Sequence, residues 1–287
     1  MVNYHSVIIG KGEPLIFLPA AGFSGMEGLN IAESLAEDYE CHLLDMPGMG
    51  KSEGIHGKVS KQKIAQWLKE YFDQHNFKKA VLFGHSMGGA LAMCFASMYP
   101  DRVTKLVLLD QGHMKIPRFP IKDFGPFGYV MPLMSGLERL AGKSFIRKIE
   151  KFFISDTAPS ETEKDNQREA FCERLGLEES DHIRKAFNDE APFTSEGLRL
   201  MFGYYRLNLP KMLKELKVPC LLIYASFKGI DEKRAVSVAK SVNKLSGAKS
   251  IRLYKMDTHH YVHWSGDECL LEIKRSLGSS NRTVYNY

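Results

Sequence analysis

The sequence has little that would anchor it in a membrane, staple it with disulfides or hold it on a nucleic acid. No stretch of its 287 residues reaches the ~18 uninterrupted apolar residues of a spanning helix. Met1 to Gly12 also lacks the basic, then apolar, pattern of an export leader. The expectation is a cytoplasmic protein with no membrane span. Cysteine is sparse: Cys41, Cys94, Cys172, Cys220 and Cys269 are odd in number and scattered, with no Cys-x-x-Cys pair. That argues for reduced, buried thiols rather than a disulfide framework or a zinc site. His259 and His263 are four apart but lack the helix and further ligands that a metal needs, so no metal is expected. Asn281-Arg282-Thr283 has the form of a glycosylation acceptor, which without export would go unused.

Charge is nearly balanced, 39 Lys and Arg against 34 Asp and Glu. No basic arm or block of the kind that tracks nucleic acid stands out. Two fragments imitate nucleotide motifs and fail. Gly50-Lys51-Ser52 ends like a phosphate loop, yet Asp45 occupies the first glycine's place. Gly10-x-Gly12 opens like a dinucleotide fingerprint, yet Leu15 stands where the third glycine belongs and no helix follows. No cofactor is expected.

What is present is an alternation of short apolar runs with longer amphipathic ones, the pattern of a parallel sheet fed by crossover helices. Val7-Ile8-Ile9, a turn at Gly10-Lys11-Gly12, and Leu15-Ile16-Phe17-Leu18 read as an opening hairpin. Cys41 to Leu44, Ala80 to Phe83, Val103 to Leu109, Val218 to Tyr224 and Ser250 to Met256 read as further strands. Ile64, Trp67, Leu68, Tyr71 and Phe72 fall on one helical stripe. From Gln111 to about Lys217 the alternation gives way to successive helical patterns. The expected organisation is a core from 1–110 and 218–276, an inserted helical cap over 111–217 whose last part has room to rejoin the core, and a polar tail over 277–287.

Gly84-His85-Ser86-Met87-Gly88 fits Gly-x-Ser-x-Gly and lies between an apolar strand and a small-residue helix. In that setting the serine hydroxyl projects above the strand ends while the following amides point at a developing oxyanion. With it, the sequence resembles the α/β-hydrolase family over both halves of the sheet. Leu18-Pro19-Ala20-Ala21-Gly22 stands where the family usually has His-Gly. Asp45-Met46-Pro47-Gly48-Met49-Gly50-Lys51-Ser52 is similar to its Asp-x-Pro-Gly-x-Gly-x-Ser loop, Tyr99 to Val103 to its passage out of the elbow helix, and His259 to Trp264 to its histidine loop. The resemblance implies a mostly parallel sheet flanked by helices with an inserted cap, and Ser86 as nucleophile. His260 is the implied base and the amides of Met87 and Ala21 the oxyanion hole. The acid is Asp110, at a strand end that fixes its side chain, with Asp231, near the slot that most relatives use, as the alternative.

The implied activity is hydrolysis of a small or medium apolar ester, thioester or lactone through an acyl-enzyme. A slow or non-catalytic ligand sensor on the same fold is the alternative, with a carbon-carbon hydrolase or cofactor-free perhydrolase as the third reading. Aromatics crowd the cap (Phe119, Phe145, Phe152, Phe153, Phe171, Phe187, Phe193, Phe202, Tyr204, Tyr205), and a subset is expected to line an apolar pocket. Between 111 and 217 the sequence carries 18 Lys and Arg against 16 Asp and Glu, which points away from strongly anionic substrates. The oligomeric state is left open.

Overall fold

A computed structural model describes residues 2–121, 125–154, 159–189, 191–245 and 247–278. Seven strands form one sheet: β1 (Ser6–Gly10), β2 (Glu13–Leu18), β3 (Tyr39–Leu44), β4 (Ala80–His85), β5 (Val103–Leu109), β6 (Cys220–Ala225) and β7 (Ile251–Met256). Their order is β1-β3-β2-β4-β5-β6-β7. β1 runs antiparallel to β3 and every other pairing is parallel.

The helices of the core are α1 (Leu29–Leu35), α2 (Lys61–Gln74) and α3 (Ser86–Met98). Between β5 and β6 the described residues hold α4 (Met131–Ala141), α5 (Lys143–Ile149), α6 (Glu161–Leu175), α7 (Asp181–Asn188), α8 (Ser195–Tyr205) and α9 (Leu209–Lys214). α10 (Glu232–Asn243) and α11 (Glu268–Leu277) follow.

Side chains alternate across a strand, and here the alternation splits the core in two. Ile16, Leu18, Leu82, Leu106, Leu108 and Leu222 pack with α2, α3 and α9, whereas Phe17, Phe83, Val107, Leu109 and Ile223 pack with α1, α10 and α11. Burial on both faces is why these strands read as unbroken apolar runs. α9, though it closes the inserted region, contributes Leu209, Met212 and Leu213 to the same core.

The opening hairpin does not form. β3 lies between β1 and β2, so Val7 pairs with Leu43 and Leu15 with Cys41. The turn at Gly10 and Gly12 wraps the entry to β3, with the Lys11 and Glu13 amides donating to the Ala36 and Asp38 carbonyls. A Cβ on Gly12 would stand 2.1 Å from the Asp38 carbonyl oxygen, so the glycines serve this close approach rather than a two-strand turn.

All five cysteines are buried free thiols, and burial pushes Cys41, Cys94 and Cys220 up to about 12. Among the described residues no helix is long and apolar enough to cross a membrane. The tail expected from 277 lies outside the described residues after Gly278, as does the Asn281 acceptor. Leu277 itself ends α11, and Gly278 is its left-handed cap.

Candidate active site

β2 and β4 are neighbours, but the chain leaves β2 toward β3 on one side and resumes at β4 on the other. This is the switch point at which open parallel sheets form a crevice beyond the strand ends. The loop Pro19 to Gly22 follows β2 and Ser86 follows β4. Asp110 follows β5, and His260 lies four residues past the end of β7.

The spacing of Gly84, Ser86 and Gly88 has a steric cause. A Cβ on Gly88 would lie 2.2 Å from the Leu18 carbonyl oxygen, and one on Gly84 would lie 2.5 Å from the Gly89 Cα. Only bare backbone lets α3 start this close to β2 and β4. Ser86 takes φ +48, a left-handed conformation rare for a residue with a side chain and a strain that is typically retained at functional positions. The Gln111 side-chain amide donates to the Ser86 carbonyl at 2.6 Å.

Asp110 also has φ +48 and is buried. Its Oδ2 lies 2.6 Å from His260 Nδ1, and its Oδ1 accepts from the Ala225 amide at 3.0 Å. Burial would raise the Asp110 carboxyl, but the hydrogen bond and charge of His260, the nearby His113 and the Ala225 amide together hold it below its ordinary value. For His260 the balance runs downward. Burial lowers it and the neighbouring His85 adds to that, against the opposing pull of Asp110. Asp231 instead caps α10, accepting from the Arg234 amide at 3.0 Å.

His259 turns inward, with Nδ1 accepting from the Tyr261 amide at 3.1 Å. Burial, then the charge of His260, pushes it down to about 4.

Behind these groups lies a buried chain that the sequence reading did not find. Glu27, in a short 3-10 helix at Gly25–Gly28, accepts from the Ala20 amide on Oε2 at 2.5 Å. Its Oε1 lies 2.6 Å from His85 Nδ1, and His85 Nε2 donates to the His260 carbonyl at 3.0 Å. Burial alone would lower His85, but the charge and hydrogen bond of Glu27 raise it. The loop after β2, the serine elbow and the histidine loop are thus joined through two fully buried side chains.

His263 is also buried, its Nε2 3.8 Å from Glu27 Oε1. Glu27, His85 and His263 bring one ligand-type atom each within 4.8 Å of one another. They are the donor types of a metal site, but the Glu27 and His85 atoms are engaged in the hydrogen bonds just given.

Ser86, Met87, Ala21, Asp110 and His260 border one pocket of about 420 Å³, and Asp231 does not. No hydrogen bond joins the Ser86 hydroxyl to His260 among the described residues. In free enzymes this contact is often long until substrate binds. Met49, Ile116, Phe193, Met201 and Val238 supply apolar wall, while among the described residues Lys115, Arg174 and Arg234 are the Lys and Arg of the same lining and Asp110 its single carboxylate. The charge count over 111–217 averaged this asymmetry away, and Arg234 lies outside that window. A larger pocket of about 960 Å³ lies beside Gly22 and Phe23, with Phe193 bordering both, and contains none of the candidate catalytic residues.

A mostly parallel sheet with these loops gathered at its switch point is the arrangement of the α/β-hydrolase fold. The family described as "alpha/beta hydrolase fold" matches residues 13–140, and the chain has the α/β-hydrolase fold. Curated relatives of the chain include esterases. The pimeloyl-[acyl-carrier protein] methyl ester esterase of Klebsiella pneumoniae is 27% identical over 94% of this chain and 97% of that protein. The enzyme of the same name from Citrobacter koseri is 27% identical over 77% of this chain and 78% of its own length. Among solved structures, a thermophilic esterase from Thermogutta terrifontis superposes with TM-score 0.65 at 19% identity, covering 96% of this chain and 93% of that one. An enol-lactonase from Burkholderia xenovorans superposes with TM-score 0.61 at 14% identity, covering 96% and 97%. Those two likenesses concern the fold. The chain is an enzyme of that fold, with esterases as its relatives.

Proposed function

We propose that the protein hydrolyses carboxylic esters through an acyl-enzyme on Ser86. The observation that carries the reading is the 2.6 Å contact between His260 Nδ1 and Asp110 Oδ2, in a pocket shared with a serine held in a left-handed elbow. Asp110 fixes the ring so that Nε2 is free to accept a proton. Ser86 Oγ attacks the ester carbonyl while His260 takes its proton, and the oxyanion is held by the amides of Met87 and Ala21. The proton then passes from His260 to the leaving alkoxide. Water, deprotonated by the same ring, cleaves the acyl-enzyme, releases the acid and restores the serine hydroxyl. Both oxyanion donors are main-chain groups, so Pro19-Ala20 in place of the family's His-Gly leaves them available.

The lining favours a substrate with an apolar body and an anionic group remote from the ester, reaching Lys115, Arg174 and Arg234. The names of the relatives fit this shape, since a pimeloyl methyl ester carries its ester at one end of an apolar chain. The reading is tested with methyl esters of medium-chain acids, neutral and ω-anionic, against wild type and Ser86→Ala. Turnover that prefers the anionic series and is lost in Ser86→Ala is expected. Absence of turnover on esters, thioesters and lactones alike would overturn it.

A further inference from the structure

Outside the catalytic pocket, the surface of the molecule is markedly uneven. Fourteen large apolar side chains stand exposed on the described residues, and nine of them fall between Phe119 and Phe152. α4 explains much of this. Its Met131, Met134 and Glu138 face inward, packing with or beside Met201 and Phe202 of α8. Leu133, Leu137 and Leu140, at i, i+4 and i+7, form a second apolar stripe that faces solvent. Leu133 is 65% and Leu140 87% exposed. Phe127 and Tyr129, both exposed, lie just before the helix start, and Phe127 meets Phe153, the sequence neighbour of exposed Phe152, with ring centroids 4.6 Å apart.

A water-soluble helix gains nothing from a second apolar face unless something covers it. The charge around it is equally uneven. Between 115 and 151 the sequence has eight Lys and Arg against three Asp and Glu, and one of those acids, Glu138, is buried against Arg206 and Arg199. Arg139, Lys143, Arg147, Lys148 and Lys151 are all exposed.

We propose that the outer face of α4, with the flanking aromatics and the basic residues of α5, docks on an anionic lipid bilayer. Exposed large apolar side chains with Lys and Arg exposed on the same and the next helix form the pattern that seats a helix in the headgroup region, its apolar side reaching the acyl boundary while cations meet lipid phosphates. A second copy is disfavoured by the same charges, because a two-fold contact would set this basic rim against itself. An acidic protein would answer the charges but not leucines this far exposed on a single helix. The flanking aromatics are also close in sequence to residues that line the two pockets. Ile116 and Pro117, just before Phe119, line the catalytic pocket, and Phe153 and Ile154, just after Phe152, line the larger one.

The test is co-sedimentation of the full chain with phosphatidylcholine vesicles, with and without phosphatidylglycerol, alongside light scattering for oligomeric state. Expected is binding to the anionic vesicles at least about tenfold tighter than to the neutral ones, weakened by ~0.5 M salt. Leu133→Ser/Leu137→Ser/Leu140→Ser and, separately, Lys143→Glu/Arg147→Glu should each weaken it by about tenfold or more while leaving turnover of water-soluble esters unchanged. Protein that stays in the supernatant with anionic vesicles overturns the proposal. So does binding indifferent to both variants, or a dimer that the leucine variant dissolves. Binding is read on Ser86→Ala as well, so a failed esterase assay leaves this result standing.

Discussion

The ring of His85 donates from Nε2 to the main-chain carbonyl of His260 at 3.0 Å, so the residue before the serine holds the backbone of the histidine proposed as its base. His85 is in turn fixed by Glu27, whose other oxygen holds the Ala20 amide. A buried pair of this kind is weak evidence for stability. Its placement argues for registry among three loops that must agree to a fraction of an ångström.

Glu27→Gln therefore tests a positioning role. Misplacement of reacting groups by about 1 Å costs up to ~100-fold. The expected outcome is a fall in kcat of between about 10- and 100-fold with KM nearly unchanged, read from steady-state ester hydrolysis. A change confined to KM would place Glu27 in substrate binding instead.

The pH dependence follows from His260. Burial holds it below the ordinary histidine value, and only the neutral ring accepts a proton. kcat/KM should therefore be at its plateau at neutral pH and fall as the pH drops through the His260 value, with the midpoint below the ~6.5 of a free histidine. An acid limb centred above that value would contradict the assignment of His260 or of its surroundings.

The two carboxylates separate by mutation. Asp110→Asn should lower kcat by about 10⁴-fold, because the ring loses the partner that sets its tautomer. Asp231→Asn should leave kcat within a few-fold, and any effect should appear as a shift in thermal midpoint from the altered cap of α10. The reverse ranking would move the acid to Asp231.

The cations of the pocket predict a preference. Arg234→Gln should lower kcat/KM for ω-anionic esters by about tenfold relative to neutral esters of the same length, the loss expected for one charge-assisted contact. Equal losses on both series would show that Arg234 acts through its packing on Phe227, over which its guanidinium sits at 3.9 Å.

Much of the fold was legible in the sequence because its signals are local. β2, β4, β5 and β6 are buried on both faces and read as apolar runs. The elbow is legible because Gly84 and Gly88 are required by contacts within one strand-turn-helix unit. The opening hairpin misled because Gly10 and Gly12 shape a turn around β3, which arrives almost thirty residues later. The order of pairing is a non-local fact that no local pattern records.

The same limit governs the site. Asp110 and Asp231 follow neighbouring strands β5 and β6, and linear spacing does not tell which reaches His260. Glu27 and His85 are 58 residues apart and carry no shared motif. Lys115, Arg174 and Arg234 come from three separate segments, so a charge total over the cap could not show that they converge.

The central claim, that Ser86 is an activated nucleophile, is tested most directly by a fluorophosphonate probe with mass-spectrometric mapping of the adduct. The account predicts rapid, stoichiometric labelling at Ser86, abolished in Ser86→Ala and slowed by at least about 100-fold in Asp110→Asn. A Ser86 that stays unlabelled in folded wild-type protein, or labelling that maps to another residue, would contradict it.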